Sequence, residues 1–374
     1  MCPKCAAEYA DPLDRRFHAQ PDACFDCGPH ITWREAGVGN EPGEAAASPA
    51  VGTTRETSDA IIDRCVELLA CGSIVAIKGL GGFHLACDAS NEQAVAELRR
   101  RKRRSNKPLA VMVRDLADVE RLCHVNDVER GLLTGSIRPI VLLRQRAICK
   151  SGGSPDALAL APSAAHDLPE LGVMLPYTPL QHLLLAAAAA HGMHAIVMTS
   201  GNLSEEPIET DDDLAWEHLV AAGIADALLG NDRAILSRYD DSVVRVVDGA
   251  VMPVRRARGY APQPLPLPTL DGTPSCALAC GPQQKATIAL TREGANGEAT
   301  CFVSQHIGDV ENGGTFDAWN AARTRLEDLF DLAPAAWPAI CTPAIYRASG
   351  RASRRGNAIC RSSRCSTITR TSRA

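Results

Sequence analysis

The stretch KRRSNKPLAVM, residues 102–112, places a cationic segment directly before an apolar strand. Residues 99–104 are all lysine or arginine, and PLAVMV at 108–113 has the continuous apolar run of a buried strand. A basic loop beside a core strand is suited to binding phosphate, whereas the alternative interpretation is a basic helix face in solvent. Lys102, Arg104 and Lys107 are therefore the first candidate anion-binding residues.

Two other predicted strands lead into small or glycine-rich turns. The strand at 74–77 is followed by Lys78 and a glycine-rich turn at 79–82, where backbone amides can approach an anion closely. The strand at 195–198 is followed by TSGN at 199–202, small hydrogen-bonding residues typical of a ligand crevice. Each turn alone is common in ordinary loops. Their joint occurrence with the basic segment favours a phosphate or nucleotide crevice.

The order of the predicted elements indicates an α/β fold. Helices predicted at 59–70, 92–101 and 180–190 alternate with these strands and with a further strand at 139–144. Such alternation implies a twisted, layered sheet.

Two segments that lack apolar periodicity are predicted linkers, at 36–58 and 262–274. Beyond the second linker, CALACGPQQKATIALT at 276–291 predicts two strands around a Gly-Pro turn. The chain is therefore predicted to have more than one folded part.

Four of the 15 cysteines follow the spacing of a metal site. Cys2 and Cys5 form one C-x2-C pair, and Cys24 and Cys27 form a second, so two tight turns supply four thiolates. A closed shell of four sulfurs leaves no position open for substrate, which predicts a structural Zn2+ ion. The alternative is a redox-active or merely buried set of thiols.

Composition limits the class of protein. The chain has 374 residues, 45% of them hydrophobic and 22% charged, with a formal net charge of −5, which allows two or three domains with a sizeable core. No apolar run predicts a membrane span and no secretion signal is evident, so we expect a cytoplasmic location. The near-neutral charge balance argues against bulk nucleic-acid binding.

Longer motifs carry a resemblance to a known family. Lys102, Arg104, Lys107 and Pro108 match the K-x-R-x-x-K-P signature of YrdC-type nucleotide-binding domains, and SGN at 200–202 matches their S-x-N element. The segments that resemble the HypF family of carbamoyltransferases, which act in nickel-iron hydrogenase maturation, are LGVMLPYTPLQHLLL at 171–185, DRAILSRYDDSVVRVVDG at 232–249 and RRARGYAPQPLPLP at 255–268. This resemblance extends from Cys2 to about Trp337.

The resemblance implies a domain order within the α/β class. It places a four-cysteine zinc finger at 1–35, similar to the second of two fingers in the family, and a YrdC-like twisted α/β domain at 59–261. The truncated start of an actin/hexokinase-like (TsaD-like) transferase domain is expected at 275–338. An acylphosphatase domain and a first finger are expected upstream, which makes this chain a central fragment.

The resemblance also implies a reaction. Members of the family convert carbamoyl phosphate to carbamate, adenylate carbamate with ATP and Mg2+, and pass the carbamoyl group to the C-terminal cysteine of HypE. This chain is expected to keep the middle step. The implied roles are catalysis by Lys102, Arg104 and Lys107, phosphate or ribose binding by Lys78, Ser200 and Asn202, an anion clamp at Arg238, and a carbamate pocket at Thr178 and His182.

Two of these assignments have a structural alternative. Arg238 can pair with Asp240 or Asp241 instead of a ligand, and His182 can be a satisfied core residue.

The hairpin at 276–291 resembles the phosphate-binding hairpin of the TsaD-like domain. Gly281, Lys285 and Thr287 match it, whereas Ala286 stands where the family pattern has Asn. In the YrdC-like domain, Asn231 and Gln181 each replace an expected histidine.

The last segment, 339–374, is rich in arginine and serine and lacks an apolar period. One interpretation is a native disordered tail. The other is a frameshift between about Trp337 and Ile340, because possible codons shifted by one nucleotide encode HHHAH and DLHP motifs typical of the family's transferase domain. We expect the gene sequence to decide between them.

Two other functional classes fit parts of the sequence. A YrdC-type threonylcarbamoyl-adenylate synthase for tRNA modification shares the basic signature but does not normally carry the four-cysteine finger or the IALT hairpin. A non-catalytic zinc- and nucleotide-binding fragment is the third interpretation.

Overall fold

A computed structural model describes residues 1–37, 49–104, 107–146, 158–165, 168–203, 206–267, 276–294 and 298–335 of the chain. The segment predicted as a tail, 339–374, lies outside these residues. Among the described helices, none combines the length and the apolar character needed to cross a membrane.

Helices and strands alternate along most of the chain. The helices are α1 (Pro3–Ala10), α2 (Arg55–Ala70), α3 (Glu92–Lys102), α4 (Leu116–Leu122), α5 (Asp127–Thr134), α6 (Pro162–Ala165), α7 (Pro179–Ala190), α8 (Asp212–Ala215), which continues into a π-helical segment (Trp216–Ala221), and α9 (Gly313–Phe330). The strands are β1 (Ile31–Glu35), β2 (Ala50–Val51), β3 (Val75–Lys78), β4 (Phe83–Asp88), β5 (Val111–Val113), β6 (Ile140–Arg144), β7 (Glu170–Met174), β8 (Ala195–Ser200), β9 (Ala227–Asn231), β10 (Val243–Val247), β11 (Ala250–Arg255), β12 (Pro264–Leu267), β13 (Leu278–Cys280), β14 (Ile288–Glu293) and β15 (Ala299–Val303).

A large mixed sheet organises the first two thirds of the chain. Within the described residues its order is β11-β10-β6-β7-β5-β8-β4-β3-β9-β1-β2. One face packs on α2 and α7 through an apolar cluster that includes Leu69 and Leu184. The opposite face packs on helices that include α3 and α4 through a second cluster, with Leu98 and Val119 among its members. The predicted twisted, layered α/β class is therefore confirmed.

The predicted boundaries at the start of this sheet need correction. Strand β1 lies inside the range expected for the finger, yet it pairs with β9 of the large sheet. Helix α2 begins at Arg55 and not at residue 59, because the Thr54 side chain accepts a hydrogen bond from the Thr57 amide and caps the helix earlier. Part of the segment predicted as a linker at 36–58 is thus folded.

A second, antiparallel sheet has the order β12-β15-β14-β13 and packs on α9. The hairpin of β13 and β14 confirms the two strands predicted around the Gly-Pro turn. Strand β12 lies in the segment predicted as a linker at 262–274, so that prediction is wrong for residues 264–267. Its prolines are accommodated because β12 is an edge strand, where a missing amide donor costs little.

Candidate functional site

Three neighbouring strands bring the predicted turns together at one end of the large sheet. Strand β4 lies between β3 and β8. Its register pairs Phe83 with Lys78 on β3, and His84 with Ser200 on β8. The two turns that the sequence placed after separate strands are therefore adjacent in space.

The Lys102 ammonium lies at the centre of this end of the sheet. It donates to the Ser200 and Asn202 carbonyl oxygens, each at 2.6 Å, and to Asn202 Oδ1 at 2.7 Å. Ser200 Oγ lies 3.5 Å from Nζ and 2.7 Å from Asn202 Oδ1. The basic segment and the SGN turn, which lie about a hundred residues apart, thus form one polar cluster.

Lys102 is 2% exposed, which is unusual for a lysine. Burial lowers its pKa to about 7, and the charge of Arg104 acts in the same direction, while Asp240 opposes the shift. The three close oxygen acceptors match the three N–H donors of the ammonium form. Lys102 is therefore a buried cation whose charge depends on pH close to neutrality.

Helical spacing explains why Lys102 points inward. Val95, Leu98 and Lys102 follow one another at intervals of three and four residues, and all three are buried. Helix α3 ends there because Arg103 adopts a left-handed conformation with φ of 53°. The alternative of a wholly solvated basic face is thus wrong for Lys102, although it describes the exposed Arg100 side chain.

Arg104 and Lys107 flank the same loop. The Arg104 guanidinium donates to the Pro108 carbonyl at 2.8 Å and to the Lys107 carbonyl at 3.3 Å. Burial lowers the Arg104 pKa to about 10, and nearby Arg99 and Arg255 add to the shift. Arg104 therefore stays cationic at neutral pH. Lys107 is exposed, and its role in phosphate binding stays a prediction.

Lys78 has a structural partner that the sequence did not reveal. Its ammonium donates to Asp212 Oδ2 at 2.6 Å and to the Asn231 carbonyl at 2.8 Å, and the residue is 2% exposed. The pair ties the end of β3 to α8 and β9. Because the contact uses the Asn231 main chain, the departure from the family pattern at that position leaves it intact. Phosphate binding by Lys78 stays a prediction.

The glycine in the SGN turn permits a close approach between strands. A Cβ at Gly201 would fall 2.7 Å from the Phe83 carbonyl oxygen, which accepts a hydrogen bond from the Gly201 amide at 2.6 Å. Any side chain there would push β4 away from the turn. Gly201 therefore sets the position of Ser200 and Asn202.

The SRYDDS segment borders the glycine-rich turn. Arg238 Nε donates to the Ile208 carbonyl at 2.8 Å, so the side chain braces the segment that follows SGN. That hydrogen bond replaces the alternative pairing with Asp240 or Asp241. Burial lowers the pKa of Arg238 from its ordinary value. Its role as an anion clamp stays a prediction.

The two aspartates of this segment face different parts of the molecule. Asp241 accepts from His84 Nε2 at 3.0 Å and from Arg258 Nε at 2.8 Å. Asp240 Oδ2 lies 3.1 Å from Nδ1 of His306, which follows β15 of the second sheet. The segment therefore connects the candidate nucleotide site to the next folded part of the chain.

Thr178 and His182, the residues predicted for a carbamate pocket, lie at the start of α7. Thr178 caps α7, and its side chain accepts from the Gln181 amide at 3.1 Å. Gln181 Oε1 accepts from the Thr178 amide in return, which gives that departure from the family pattern a structural role. His182 is exposed on α7, so the alternative that it is a core residue is wrong. Carbamate binding by Thr178 and His182 stays a prediction.

The four cysteines of the finger converge. Their Sγ atoms all lie within 4.8 Å of one another, with 3.6 Å between Cys2 and Cys24 and 3.9 Å between Cys24 and Cys27. Tetrahedral zinc with Zn–S bonds of about 2.3 Å separates its sulfurs by about 3.8 Å. Hydrogen bonds accepted from the Cys24 and Cys2 backbone lower the Cys27 pKa to about 6, whereas burial raises the pKa of the Cys5 thiol, so the zinc assignment rests on the sulfur geometry. The cluster fits Zn2+.

Replacing Cys27 by serine is expected to reduce bound zinc from about one ion per chain to less than about a tenth. The reason is that three thiolates and a hydroxyl do not close the sulfur shell. Metal content by plasma mass spectrometry measures the change, with Cys71→Ser as the control because Cys71 is an exposed free thiol. Equal zinc content in both variants would contradict the assignment.

The second predicted phosphate element is a turn of the β13–β14 hairpin. The Gly281 amide donates to the Thr287 carbonyl at 3.0 Å, and the Lys285 amide donates to Asp309 Oδ1 at 2.6 Å. Lys285 is exposed and has a φ of 50°. Ala286 is fully buried in the core of this part, so the methyl group packs where the family pattern has a polar side chain. Phosphate binding by Gly281, Lys285 and Thr287 stays a prediction.

Sequence reasoning missed several residues that shape the site. His84, Asp241 and Arg258 form a buried chain of contacts, and Arg258 also lies 3.5 Å from the Tyr177 ring centroid. The sequence offered no signal for these long-range pairings. Sequence reasoning also missed Arg99, but a signal for its burial exists, because it follows Val95 by four residues on the buried face of α3.

Family models match three successive parts of the chain. The HypF finger matches residues 1–34, the Sua5–YciO–YrdC model, described as telomere recombination, matches 67–257, and the HypF Kae1-like domain matches 272–353. The last match extends into the segment for which the sequence suggests an out-of-frame tail.

Individual relatives agree with these models. Carbamoyltransferase HypF of Rhodobacter capsulatus is 45% identical over 336 residues, covering 90% of this chain and 40% of the relative. Threonylcarbamoyl-AMP synthase of Bos taurus is 31% identical over 184 residues, covering 48% of this chain and 60% of the relative. The crystal structure of full-length HypF in the phosphate- and nucleotide-bound form matches with a TM-score of 0.75 and 42% identity, covering 91% of this chain and 39% of that one. The chain spans less than half the length of the HypF relatives it matches.

Proposed function

The chain belongs to the HypF family of carbamoyltransferases, and from this premise we propose that its central domain makes carbamoyl-adenylate from carbamate and ATP. The observation that carries the proposal is the buried Lys102 ammonium, held by Ser200 and Asn202 beside the cationic Arg104. The same site lies next to the glycine-rich turn.

The proposed step is a nucleotidyl transfer. A carbamate oxygen attacks the α-phosphorus of ATP, the bond between that phosphorus and the α,β-bridging oxygen breaks, and pyrophosphate leaves with the electron pair. Carbamate is already an anion, so the step needs no proton acceptor. It needs cations near the attacked phosphate and the departing pyrophosphate, because negative charge accumulates there. We propose that Lys102 and Arg104 supply them, with Lys107 at the exposed edge. ATP enters with Mg2+.

The remaining family steps are also part of the proposal. We propose that the carbamoyl group passes to the C-terminal cysteine of HypE through the TsaD-like part, and that carbamate comes from carbamoyl phosphate. The four-cysteine cluster holds a structural Zn2+ ion in this scheme, and the protein acts in the cytoplasm.

The test is exchange of labelled pyrophosphate into ATP by the whole chain. Ammonium carbamate is expected to support exchange, whereas threonine with bicarbonate is expected to give less than about a tenth of that rate, because a site shaped for one substrate discriminates in its transition state. The opposite preference would favour a threonylcarbamoyl-adenylate synthase, which the similarity to the bovine enzyme makes the second candidate. ATP binding without exchange under either condition would indicate a non-catalytic fragment.

A further inference from the structure

Arg99 is a buried arginine next to the candidate catalytic loop. It is 8% exposed, whereas the side chain of its neighbour Arg100 is 72% exposed and pairs with Glu97 on the surface. Both residues lie in the same run of cations, so the difference comes from the helical rotation between them. Arg99 therefore has a role that its neighbour does not share.

The Arg99 guanidinium joins two separate segments of backbone. On one side, Nε donates to the Ser163 carbonyl at 2.6 Å and NH2 donates to the Ala164 carbonyl at 3.3 Å. On the other side, NH1 donates to the Lys107 carbonyl at 3.0 Å and lies 3.4 Å from the Arg104 carbonyl. A planar guanidinium with five donors in a fixed fork can make all four contacts at once, whereas a lysine ammonium has only three donors.

The segment on the far side is itself fixed to α3. The Ser163 amide donates to the Glu92 carboxylate at 3.0 Å, and the Ser163 hydroxyl also contacts that carboxylate. The Leu109 amide donates to the Ala164 carbonyl at 3.0 Å. Helix α3, the short helix α6 and the start of the core strand thus form a frame around residues 103–104 and 107–108, the described ends of the basic loop.

The frame also determines where the Arg104 side chain lies. The Lys107 carbonyl that accepts from Arg99 NH1 also accepts from Arg104 Nε. A displacement of that carbonyl therefore moves the Arg104 guanidinium.

We propose that Arg99 is a positioning residue that fixes the two described ends of the basic loop, at Arg104 and Lys107, for phosphate binding through this set of carbonyl contacts. The proposal rests on the proposed function for its catalytic consequence. Its structural consequence, a fixed main chain at Arg104 and Lys107 without ligand, does not depend on that function.

The test compares Arg99→Lys with Arg100→Lys in the whole chain. Both variants keep the charge, but Arg99→Lys loses contacts to main-chain carbonyls, whereas Arg100→Lys loses contacts to the surface Glu97 carboxylate. Arg99→Lys is expected to raise the dissociation constant of ATP by about tenfold, the effect of one lost charge-assisted hydrogen bond. Arg100→Lys is expected to leave the constant unchanged. Isothermal titration calorimetry measures both.

Amide hydrogen exchange without ligand supplies the second measurement. The Arg104 amide donates to the Arg99 carbonyl at 2.9 Å and the Leu109 amide donates to the Ala164 carbonyl, so both report on the loop. Faster exchange at these two amides is expected in Arg99→Lys but not in Arg100→Lys. Glu92→Gln, which weakens the far side of the frame, is expected to act in the same direction and provides the test if Arg99→Lys does not fold.

The proposal would be overturned if the Arg104 and Leu109 amides exchanged hydrogen at the wild-type rate in both Arg99→Lys and Glu92→Gln. Equal ATP dissociation constants for Arg99→Lys and Arg100→Lys would also overturn it. A wild-type chain that binds ATP but lacks carbamate-dependent pyrophosphate exchange would contradict the proposed function alone. The amide hydrogen exchange rates at Arg104 and Leu109 would still test the role of Arg99.

Discussion

Lys102→Met is expected to lower carbamate-dependent pyrophosphate exchange by about 100- to 1000-fold, because it removes a fixed positive charge proposed to stabilise the transition state. Methionine has a similar length but cannot donate a hydrogen bond. Its introduction removes the cation and leaves the Ser200 and Asn202 oxygens without their shared donor. Initial rates at varied ATP and carbamate measure the effect on kcat and KM separately.

Arg100→Met is the matched control for this variant, because it removes a cation from the exposed face of the same helix. Thermal unfolding of both variants separates a lost catalytic contact from lost stability. The role of the buried cation would be contradicted if pyrophosphate exchange fell equally in Lys102→Met and Arg100→Met. It would also be contradicted if folded Lys102→Met kept wild-type pyrophosphate exchange.

The wild-type pH dependence follows from the same residue. Burial lowers the Lys102 pKa to about 7, so the folded protein releases this proton far below the pH at which a free lysine does. ATP affinity is therefore expected to fall as pH rises through about 7, when the cation is lost. Calorimetric titrations between pH 6 and 9 measure this.

Asp241→Asn is expected to reduce the free energy of unfolding by about 3 to 5 kcal/mol, the usual result when one partner of a buried charged contact is removed. Burial alone would raise the Asp241 pKa, but the His84 hydrogen bond and the charges of His84 and Arg258 lower it below its ordinary range. The amide would leave Arg258 without its carboxylate partner while that guanidinium stays held by the Ile137 and Arg138 carbonyls. Urea unfolding measures the loss.

Asp240→Asn provides the control, because it changes the adjacent residue in the same way. Asp240 has a side chain that is 21% exposed, against 8% for Asp241, and it pairs with His306. A smaller loss of about 1 kcal/mol is expected there. If the two variants lost equal stability, the buried network around Asp241 would not be the cause.

The pH dependence of stability has a defined sign. Because the folded pKa of Asp241 is depressed, its contribution is present above the unfolded pKa of about 3.9 and is lost as pH falls below it. The difference between wild type and Asp241→Asn is therefore expected to shrink in acid.

Short-range patterns in the sequence were enough to predict the α/β class, the four-cysteine cluster and the candidate nucleotide site. Strands that end in glycine or small polar residues, and paired C-x2-C turns, are local features whose geometry depends on a few neighbouring residues. The burial of Arg99 and Lys102 could also be predicted from the sequence, because both residues fall on the apolar helix face that Val95 and Leu98 define.

Only the tertiary structure decided which charges pair. Lys78 meets Asp212 across 134 residues, and His84 meets Asp241 across 157. These contacts depend on the order of the strands in the sheet, which no local pattern encodes. The same holds for β12. Its prolines predicted a linker, but in the tertiary structure the segment pairs with β15 as an edge strand. Sequence alone thus predicted which residues bind phosphate or zinc. Packing determined which of them are held in place, because a buried charge must find its partner wherever the fold brings one.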